Sequence, residues 1–194
     1  MIPVNDTSWV ILAGGQSSRM NGNDKGLIEL NGKTLLKHSY DILAKQTDNI
    51  VINANRNQDL YRKIAPVIQD EIKGFQGPLA GIHACLTASH TQWVGFVPCD
   101  CPHIASDLVQ RFCDAASEEK SVYVAHDGAH MQPIFSFWNV SALDALSNFL
   151  ARGERKVGLF YKEIAARHVD FSDNPDSFIN LNTPEELNEF KQAK

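Results

Sequence analysis

Two adjacent glycines and two cationic side chains follow the first apolar run of the chain, residues 9–11. Gly14 and Gly15 end this run, and Arg19 and Lys25 come shortly after them. Glycine has no Cβ, so the backbone amides of such a loop can approach a ligand closely. A guanidinium group binds phosphate as a fork, whereas an ammonium group acts as a point charge. The pattern therefore predicts a buried strand followed by a loop that binds a di- or triphosphate.

The loop does not match the dinucleotide-binding fingerprint. That motif needs Gly-x-Gly-x-x-Gly, but Gly14 and Gly15 are adjacent and Gln16 stands where the second glycine belongs. The spacing therefore argues against a dehydrogenase.

A second glycine motif, Gly32-Lys33-Thr34, resembles the end of a P-loop. The earlier glycine that a P-loop requires falls on Leu27, and no strand leads into it. We interpret Asn31-Gly32 as a tight turn and Thr34 as the start of a helix.

Polar side chains also lie at or just after the carboxyl ends of three other predicted strands, at residues 49–54, 66–69 and 93–97. These side chains are Asn53, Asp70 and Asp100. In an open α/β sheet, ligands bind at the carboxyl ends of the strands, so we expect a crevice lined by these residues. Asn53 is equally compatible with a turn or a helix cap.

Asp100 lies between Pro98 and Pro102, which interrupt regular backbone hydrogen bonding on both sides. A lone carboxylate would repel a triphosphate unless it held a hard cation such as Mg²⁺. The alternative is a structural aspartate in a turn or helix cap. The phosphate-type loop favours the metal ligand.

Length, charge and hydropathy restrict the class of protein. The chain has 194 residues, 43% of them hydrophobic, which suits one domain spanning 1–194. A net charge of −5 argues against a nucleic-acid-binding surface. No apolar run has the length of a membrane span, and no secretion signal opens the chain, so we expect a cytoplasmic protein without a membrane partner.

The four cysteines are interpreted as small buried side chains. One residue separates Cys99 from Cys101, which is too short for the usual zinc-binding pair. A cytosolic chain also keeps its thiols reduced, so a disulfide set is not expected.

Apolar periodicity predicts an α/β protein in which strands and helices alternate. Asp127-Gly128 predicts a hairpin between strands at 122–126 and 131–137, and Pro133 indicates that the second strand is bulged or at an edge. Further helices are predicted at 34–46, 78–90, 107–116, 141–150 and 157–164, and a further strand at 167–171.

The C-terminal region carries a capping box, in which Thr183 pairs with Glu186 ahead of a helix at 184–192. Asn180 and Asn182 are predicted to share one face of the strand before it. Two amides there could bind a heterocycle, or they could simply form a hydrogen-bonded turn.

Read in order, these motifs resemble the nucleotidyltransferases that join an NTP to a phosphorylated acceptor, and most closely the molybdenum cofactor guanylyltransferase family. The resemblance covers nearly the whole chain and departs from the pattern at Asn21, where glycine is usual. The matching motifs are residues 12–20, 24–26, 53–56, 77–81, 98–102, 153–156 and 180–187.

The resemblance implies a three-layer, Rossmann-like nucleotidyltransferase fold with a mostly parallel sheet and a C-terminal antiparallel hairpin. It implies transfer of GMP from GTP to the terminal phosphate of molybdopterin or molybdenum-molybdopterin, with Mg²⁺ as cofactor and pyrophosphate leaving. Proteins that deliver the cofactor and molybdoenzymes that receive it are implied as further partners. The family's nucleotide contacts map onto Leu12, Ala13, Gly14, Gly15, Lys25, Asn53, Asp70 and Asp100, its metal ligand onto Asp100, and its acceptor contacts onto Arg155, Lys156, Asn180 and Asn182.

An acceptor phosphate is already an ionised nucleophile, so the chemistry needs no general base and no covalent intermediate. The main barrier is repulsion between two anions, which positioning and neutralisation lower. Arg19 and Lys25 are therefore expected to hold the departing phosphates, with the metal on Asp100.

Three alternatives share parts of this pattern. A cytidylyltransferase would differ in base choice, and a sugar-phosphate nucleotidyltransferase would usually carry a longer acceptor region. A non-catalytic nucleotide-binding regulator would keep the loop but need no metal carboxylate.

Overall fold

The computed structural model describes residues 1–14, 24–71, 77–183 and 186–187. The strands of this part are β1 Thr7–Leu12, β2 Glu29–Leu30, β3 Lys33–Thr34, β4 Ile50–Asn53, β5 Val67–Ile68, β6 Trp93–Pro98, β7 Val122–His126, β8 Met131–Asn139 and β9 Arg167–Asp170. The α-helices are α1 Leu35–Leu43, α2 Gln58–Tyr61, α3 Pro78–Thr87, α4 Leu108–Ala115, α5 Leu143–Ala151 and α6 Val157–Glu163. Among the described helices, none combines the length and apolar character needed to cross a membrane.

Seven of the described strands form one sheet in the order β5-β4-β1-β6-β8-β7-β9, and β2 and β3 form a separate pair. Strands β5, β4, β1 and β6 are parallel to one another, and β9 is parallel to β7. Strand β8 runs antiparallel to both β6 and β7. The predicted α/β class is confirmed, with a mostly parallel sheet and an antiparallel β7-β8 hairpin.

Strand β1 shows why helices cover both faces of the sheet. Successive side chains of a strand point to opposite faces, and nearly all of β1 is buried. Trp9 and Ile11 pack in a core with residues of α1 and α4. Val10 packs in a second core with residues of α3, α5 and α6. The result is the predicted three-layer arrangement of helices, sheet and helices.

The turn between β2 and β3 excludes the P-loop interpretation of Gly32-Lys33-Thr34. Asn31 and Gly32 have φ values of 53° and 75°, both in the left-handed region that a two-residue hairpin turn requires. Thr34 is the N-cap of α1, and its hydroxyl accepts a hydrogen bond from the Lys37 amide. Both predictions for this segment are confirmed.

Pro133 lies in a bulge of β8. The register between β7 and β8 shifts after the pair Val124 and Ser136, and the next pair is Ala125 and Gln132. Because Pro133 falls in the unpaired stretch, its missing N–H costs no ladder hydrogen bond. The predicted bulge is therefore confirmed. The alternative prediction, an edge strand, is wrong because β8 lies between β6 and β7.

The prediction of a strand that carries Asn180 and Asn182 is wrong. A short 3₁₀ helix, Pro175–Phe178, is followed by irregular chain. The backbone N–H of Leu181 donates to the carbonyl oxygen of Asp100, so local loop contacts replace a strand ladder. The capping box is confirmed by two hydrogen bonds between Thr183 and Glu186, while residues 184–185 and 188–194 of the predicted helix lie outside the described part.

We expect Gly95→Ala to destabilise the protein by about 1–3 kcal/mol. Gly95 pairs with Trp9 across β1 and β6, and a Cβ there would overlap the indole ring. Urea denaturation measures the change. Gly158→Ala is the control, because a Cβ on Gly158 in α6 meets only Met131 Cε, at 3.9 Å. A control variant that lost as much stability would contradict this account.

Candidate active site

Strand register brings the polar strand ends together at one edge of the sheet. Leu12 at the end of β1 lies opposite Asn53 on one side and Pro98 on the other. Asn53 in turn lies opposite Ile68 at the end of β5. The chain therefore leaves the sheet at neighbouring points just before Gly14, Asp70 and Asp100. This edge is the predicted crevice.

Lys25 joins the two halves of this crevice. Its Nζ forms an ion pair with Asp100 Oδ2 and donates a 2.6 Å hydrogen bond to Asn182 Oδ1. The Lys25 and Asp100 side chains are 18% and 11% exposed, so water only partly screens the attraction between their charges. One ammonium group thus contacts residues from the middle and from the end of the chain.

The loop that carries Asp100 is fixed through its backbone. The amide of Cys99 donates to the carbonyl oxygen of Leu12 at 3.2 Å, which continues the β1-β6 ladder. The hydroxyl of Ser39, buried on α1, donates to the carbonyl oxygen of Cys101 at 3.2 Å. The amide of Leu181 donates to Asp100 O at 3.1 Å. The Asp100 carboxylate is therefore presented by a loop tied to three other segments.

The C-terminal segment is anchored beside this loop. Leu181 and Leu187 pack with Leu30 and Leu35 in a small buried cluster. The Glu186 carboxylate accepts a 2.5 Å hydrogen bond from the backbone amide of Asn182. This bond holds Asn182 in place, and the Asn182 side chain faces Lys25.

Asn180 lies against the same loop. Its Oδ1 accepts a hydrogen bond from the thiol of Cys101, which is fully buried. Burial, followed by the neighbouring Asp100 carboxylate, raises the pKa of Cys101 well above its usual value, so the thiol stays protonated and can donate. All four cysteines are free and buried, as predicted.

A network of amides surrounds the carboxylate of Asp70. Asn53 Nδ2 donates to Asp70 Oδ1 at 2.9 Å, and Asn55 Nδ2 donates to Asp70 Oδ2 at 2.8 Å. Asn55 Oδ1 accepts from the Asp70 amide, which closes the network. A Cβ on Gly14 would lie 3.2 Å from Asn53 Oδ1, and one on Gly81 of α3 would overlap that oxygen. The two glycines thus leave room for the Asn53 side chain.

Arg155 and Lys156 lie between α5 and α6. Arg155 donates from Nη1 to the carbonyl oxygens of Leu150 and Glu154, at 2.8 and 2.6 Å, and Lys156 is the exposed N-cap of α6. The first turn of α6 reaches Met131, which begins β8 at the carboxyl edge of the sheet. The start of α6 therefore packs against the first residue of β8.

The structure brings together most of the residues predicted from the sequence. Lys25, Asp100 and Asn182 are in direct contact, and Asn53 and Asp70 are hydrogen-bonded to each other. Leu12, Ala13 and Gly14 form the chain that leaves β1 beside them. Arg19 and Gly15 lie outside the described residues.

Sequence reasoning did not assign a role to Asp24, Tyr61, Asn57 or Asn55. Asp24 and Asn55 lie within motifs that the sequence singled out, so their positions carried a signal. Tyr61 lies in a short, mostly polar helix, and no local pattern distinguishes it from an exposed residue. It is nevertheless fully buried.

Comparison with known proteins gives the family. The sequence model of the MobA-like NTP transferase domain matches residues 9–168. This chain belongs to that family. It is therefore a nucleotidyltransferase, as the resemblance of its motifs implied.

Sequence relatives show which members of the family this chain is most similar to. A protein of Vibrio vulnificus named molybdenum cofactor guanylyltransferase is 58% identical over 188 residues, covering 97% of this chain and 96% of the relative. A protein of Vibrio campbellii with the same name is 56% identical over the whole length of both chains. The resemblance to the molybdenum cofactor guanylyltransferases is confirmed.

A solved structure supports the fold. The molybdopterin-guanine dinucleotide biosynthesis protein A of Archaeoglobus fulgidus superposes with a TM-score of 0.79, at 22% identity, covering 96% of this chain and 97% of that one. The three-layer nucleotidyltransferase fold predicted for this family member is thereby confirmed.

We expect Gly81→Ala to weaken nucleotide binding by about tenfold, or ~1.4 kcal/mol. The added methyl group must displace Asn53 and with it the bonds to Asp70. Alanine has a higher helix propensity than glycine, so the substitution does not weaken α3 through helix propensity, and a loss of binding must have another cause. Calorimetric titration with ribonucleoside triphosphates measures the affinity, and Gly158→Ala, another helical glycine, is the control. Unchanged affinity would contradict the proposed close fit.

Proposed function

We propose that this enzyme transfers GMP from GTP to the terminal phosphate of molybdopterin or molybdenum-molybdopterin, releasing pyrophosphate. The proposed product is the guanine dinucleotide form of the cofactor. Proteins that deliver the pterin and molybdoenzymes that receive the product would be its further partners.

The contact of Lys25 with both Asp100 and Asn182 carries this proposal. It joins a cation beside the phosphate-type loop, a carboxylate suited to a metal, and an amide of the C-terminal half. Transfer between two phosphates needs these elements close together, because two anions must approach each other. The names of the sequence relatives supply the choice of GTP and molybdopterin.

The oxygen donors around Lys25 suit a divalent metal. Asp100 and Asn182 both direct a side-chain oxygen at a cation, and carboxylate and amide oxygens are the ligand types that Mg²⁺ accepts. We propose Asp100 as the residue that holds Mg²⁺. The bound ion would neutralise charge on the phosphates of the nucleotide.

Lys25 and Arg19 have the proposed role of binding the departing β- and γ-phosphates. The Lys25 ammonium can exchange its carboxylate partner for a phosphate oxygen, since each balances one positive charge. As charge develops on pyrophosphate in the transition state, fixed cations lower the barrier without rearranging solvent.

The two substrates would occupy opposite sides of Lys25. Leu12, Ala13, Gly14 and Gly15 would place backbone amides against the nucleotide, and the Asn53 and Asp70 network would form a rigid wall for its nucleoside. Asn180 and Asn182 would bind the pterin and its phosphate, together with Arg155 and Lys156, which the family resemblance assigns to the acceptor. A phosphate nucleophile is ionised at neutral pH, so no side chain needs to remove a proton.

A pyrophosphate-release screen of four ribonucleoside triphosphates against molybdopterin and common sugar phosphates tests the proposal. We expect release with GTP and molybdopterin together, and little with either alone. Equal turnover of CTP would indicate a cytidylyltransferase, and turnover only with a sugar phosphate would indicate that class instead. Nucleotide binding without release under any condition would indicate a regulator.

We expect Asp100→Asn to lower kcat by at least about 100-fold while the dissociation constant for GTP changes by less than about threefold. The amide keeps the shape of the side chain but loses the charge that would hold a metal. Steady-state kinetics in saturating Mg²⁺ measure kcat. Asp107→Asn is the control, because Asp107 forms a surface ion pair with Arg111 on α4. A kcat equal to that of the control would remove the metal role of Asp100.

A further inference from the structure

A buried carboxylate lies next to the proposed phosphate-binding lysine. Asp24 directly precedes Lys25 and is only 9% exposed. Its Oδ1 accepts hydrogen bonds from Tyr61 Oη at 2.6 Å and from the Gly26 amide at 3.3 Å, and its Oδ2 accepts from Asn57 Nδ2 at 2.9 Å. Both carboxylate oxygens are therefore engaged within the protein. This arrangement suits a residue that fixes the chain rather than one that binds substrate.

Tyr61 donates a hydrogen bond to this carboxylate from a buried hydroxyl. Its side chain is fully buried at the end of α2. Burial, followed by the hydrogen bond to Asp24, raises the pKa of Tyr61 above its usual value, so the hydroxyl remains a donor. A Cβ on Gly26 would come within 2.5 Å of Tyr61 Oη, which shows how closely the backbone after Lys25 approaches this hydroxyl.

Asn57 provides the second side-chain donor from the start of α2. It is exposed and has a φ of 49°, in the left-handed region that asparagine tolerates better than most residues. Because Asn57 and Tyr61 stand on either end of one helical turn, α2 presents both donors to the same carboxylate.

The network determines where the Lys25 backbone lies. Asp24 is the N-cap of the 3₁₀ turn Lys25–Leu27, and its side chain closes that turn through the Gly26 amide. The long, flexible lysine side chain then needs only to extend from a fixed backbone to reach Asp100 and Asn182.

We propose that Asp24, Tyr61 and Asn57 form a positioning network that holds Lys25 in the phosphate site, with Tyr61 as its buried anchor. The inference rests on the proposed phosphate-binding role of Lys25. The proposed network gives α2 a role in catalysis, because α2 acts on Lys25 through Asp24. No substrate contact is predicted for α2 itself.

The decisive comparison is Tyr61→Phe against Tyr123→Phe. Both substitutions remove one hydroxyl from a fully buried tyrosine, and Tyr123 bonds to Ser117 on a different part of the fold. We expect kcat/KM for GTP to fall about 10- to 100-fold in Tyr61→Phe, because small displacements of a charged group strongly affect the transition state. We expect Tyr123→Phe to stay within about twofold of wild type.

A double-mutant cycle shows whether Tyr61 acts through Lys25. If it does, Tyr61→Phe should cost less than about twofold in the Lys25→Ala background, although it costs at least tenfold in the wild-type background. An equal cost in both backgrounds would overturn the proposal, because a merely structural effect is additive with Lys25→Ala. Asn57→Gly is a second, exposed variant that keeps the left-handed backbone and removes one donor, and we expect it to lower kcat/KM about threefold or more.

The outcomes separate this inference from the proposed function. If wild-type protein neither binds nor turns over GTP, the proposed function fails. If the wild type is active and Tyr61→Phe matches Tyr123→Phe in kcat/KM, the proposed function stands and the positioning network is wrong. Urea midpoints of the two phenylalanine variants show whether a kinetic difference exceeds their difference in stability.

Discussion

The parallel register of β4, β1 and β6 is the constraint on which the rest of the structure depends. These strands are buried by helices on both faces, so polar side chains have little place within them. Polar residues gather instead where the strands end, and the register puts those ends side by side. Gly14, Asn53 and Asp100 thus reach one crevice because the hydrophobic core holds the strands in line.

Charge balance organises this crevice around Lys25. Removing a carboxylate from water is costly unless a cation and further hydrogen bonds accompany it. Lys25 satisfies Asp100 in this way, and Asn182 accepts a further hydrogen bond from its ammonium group. In the proposed function the same arrangement would allow exchange, in which a metal ion takes the carboxylate while the lysine binds phosphate.

Close approach of backbone and polar side chains completes the geometry. Asn53 lies against Gly14 and Gly81, and Tyr61 lies against Gly26, in spaces that a Cβ would fill or crowd. These contacts fix amide and hydroxyl donors toward the carboxylates of Asp70 and Asp24. Rigid donors and acceptors stabilise developing charge better than mobile ones, because less reorganisation is needed during the reaction.

The sequence by itself determined the features that depend on neighbouring residues. The strand-helix alternation, the Asn31-Gly32 turn and the capping box at Thr183 follow from periodicity and local hydrogen bonding, and the polar strand ends marked the crevice. It predicted the wrong conformation around Asn180, because the backbone there bonds to the Asp100 loop instead of to a strand. Only the tertiary structure decided that Asn182 meets Lys25 and that Tyr61 is buried against Asp24. Such contacts depend on strand order and on helix packing between distant segments, which no local pattern records.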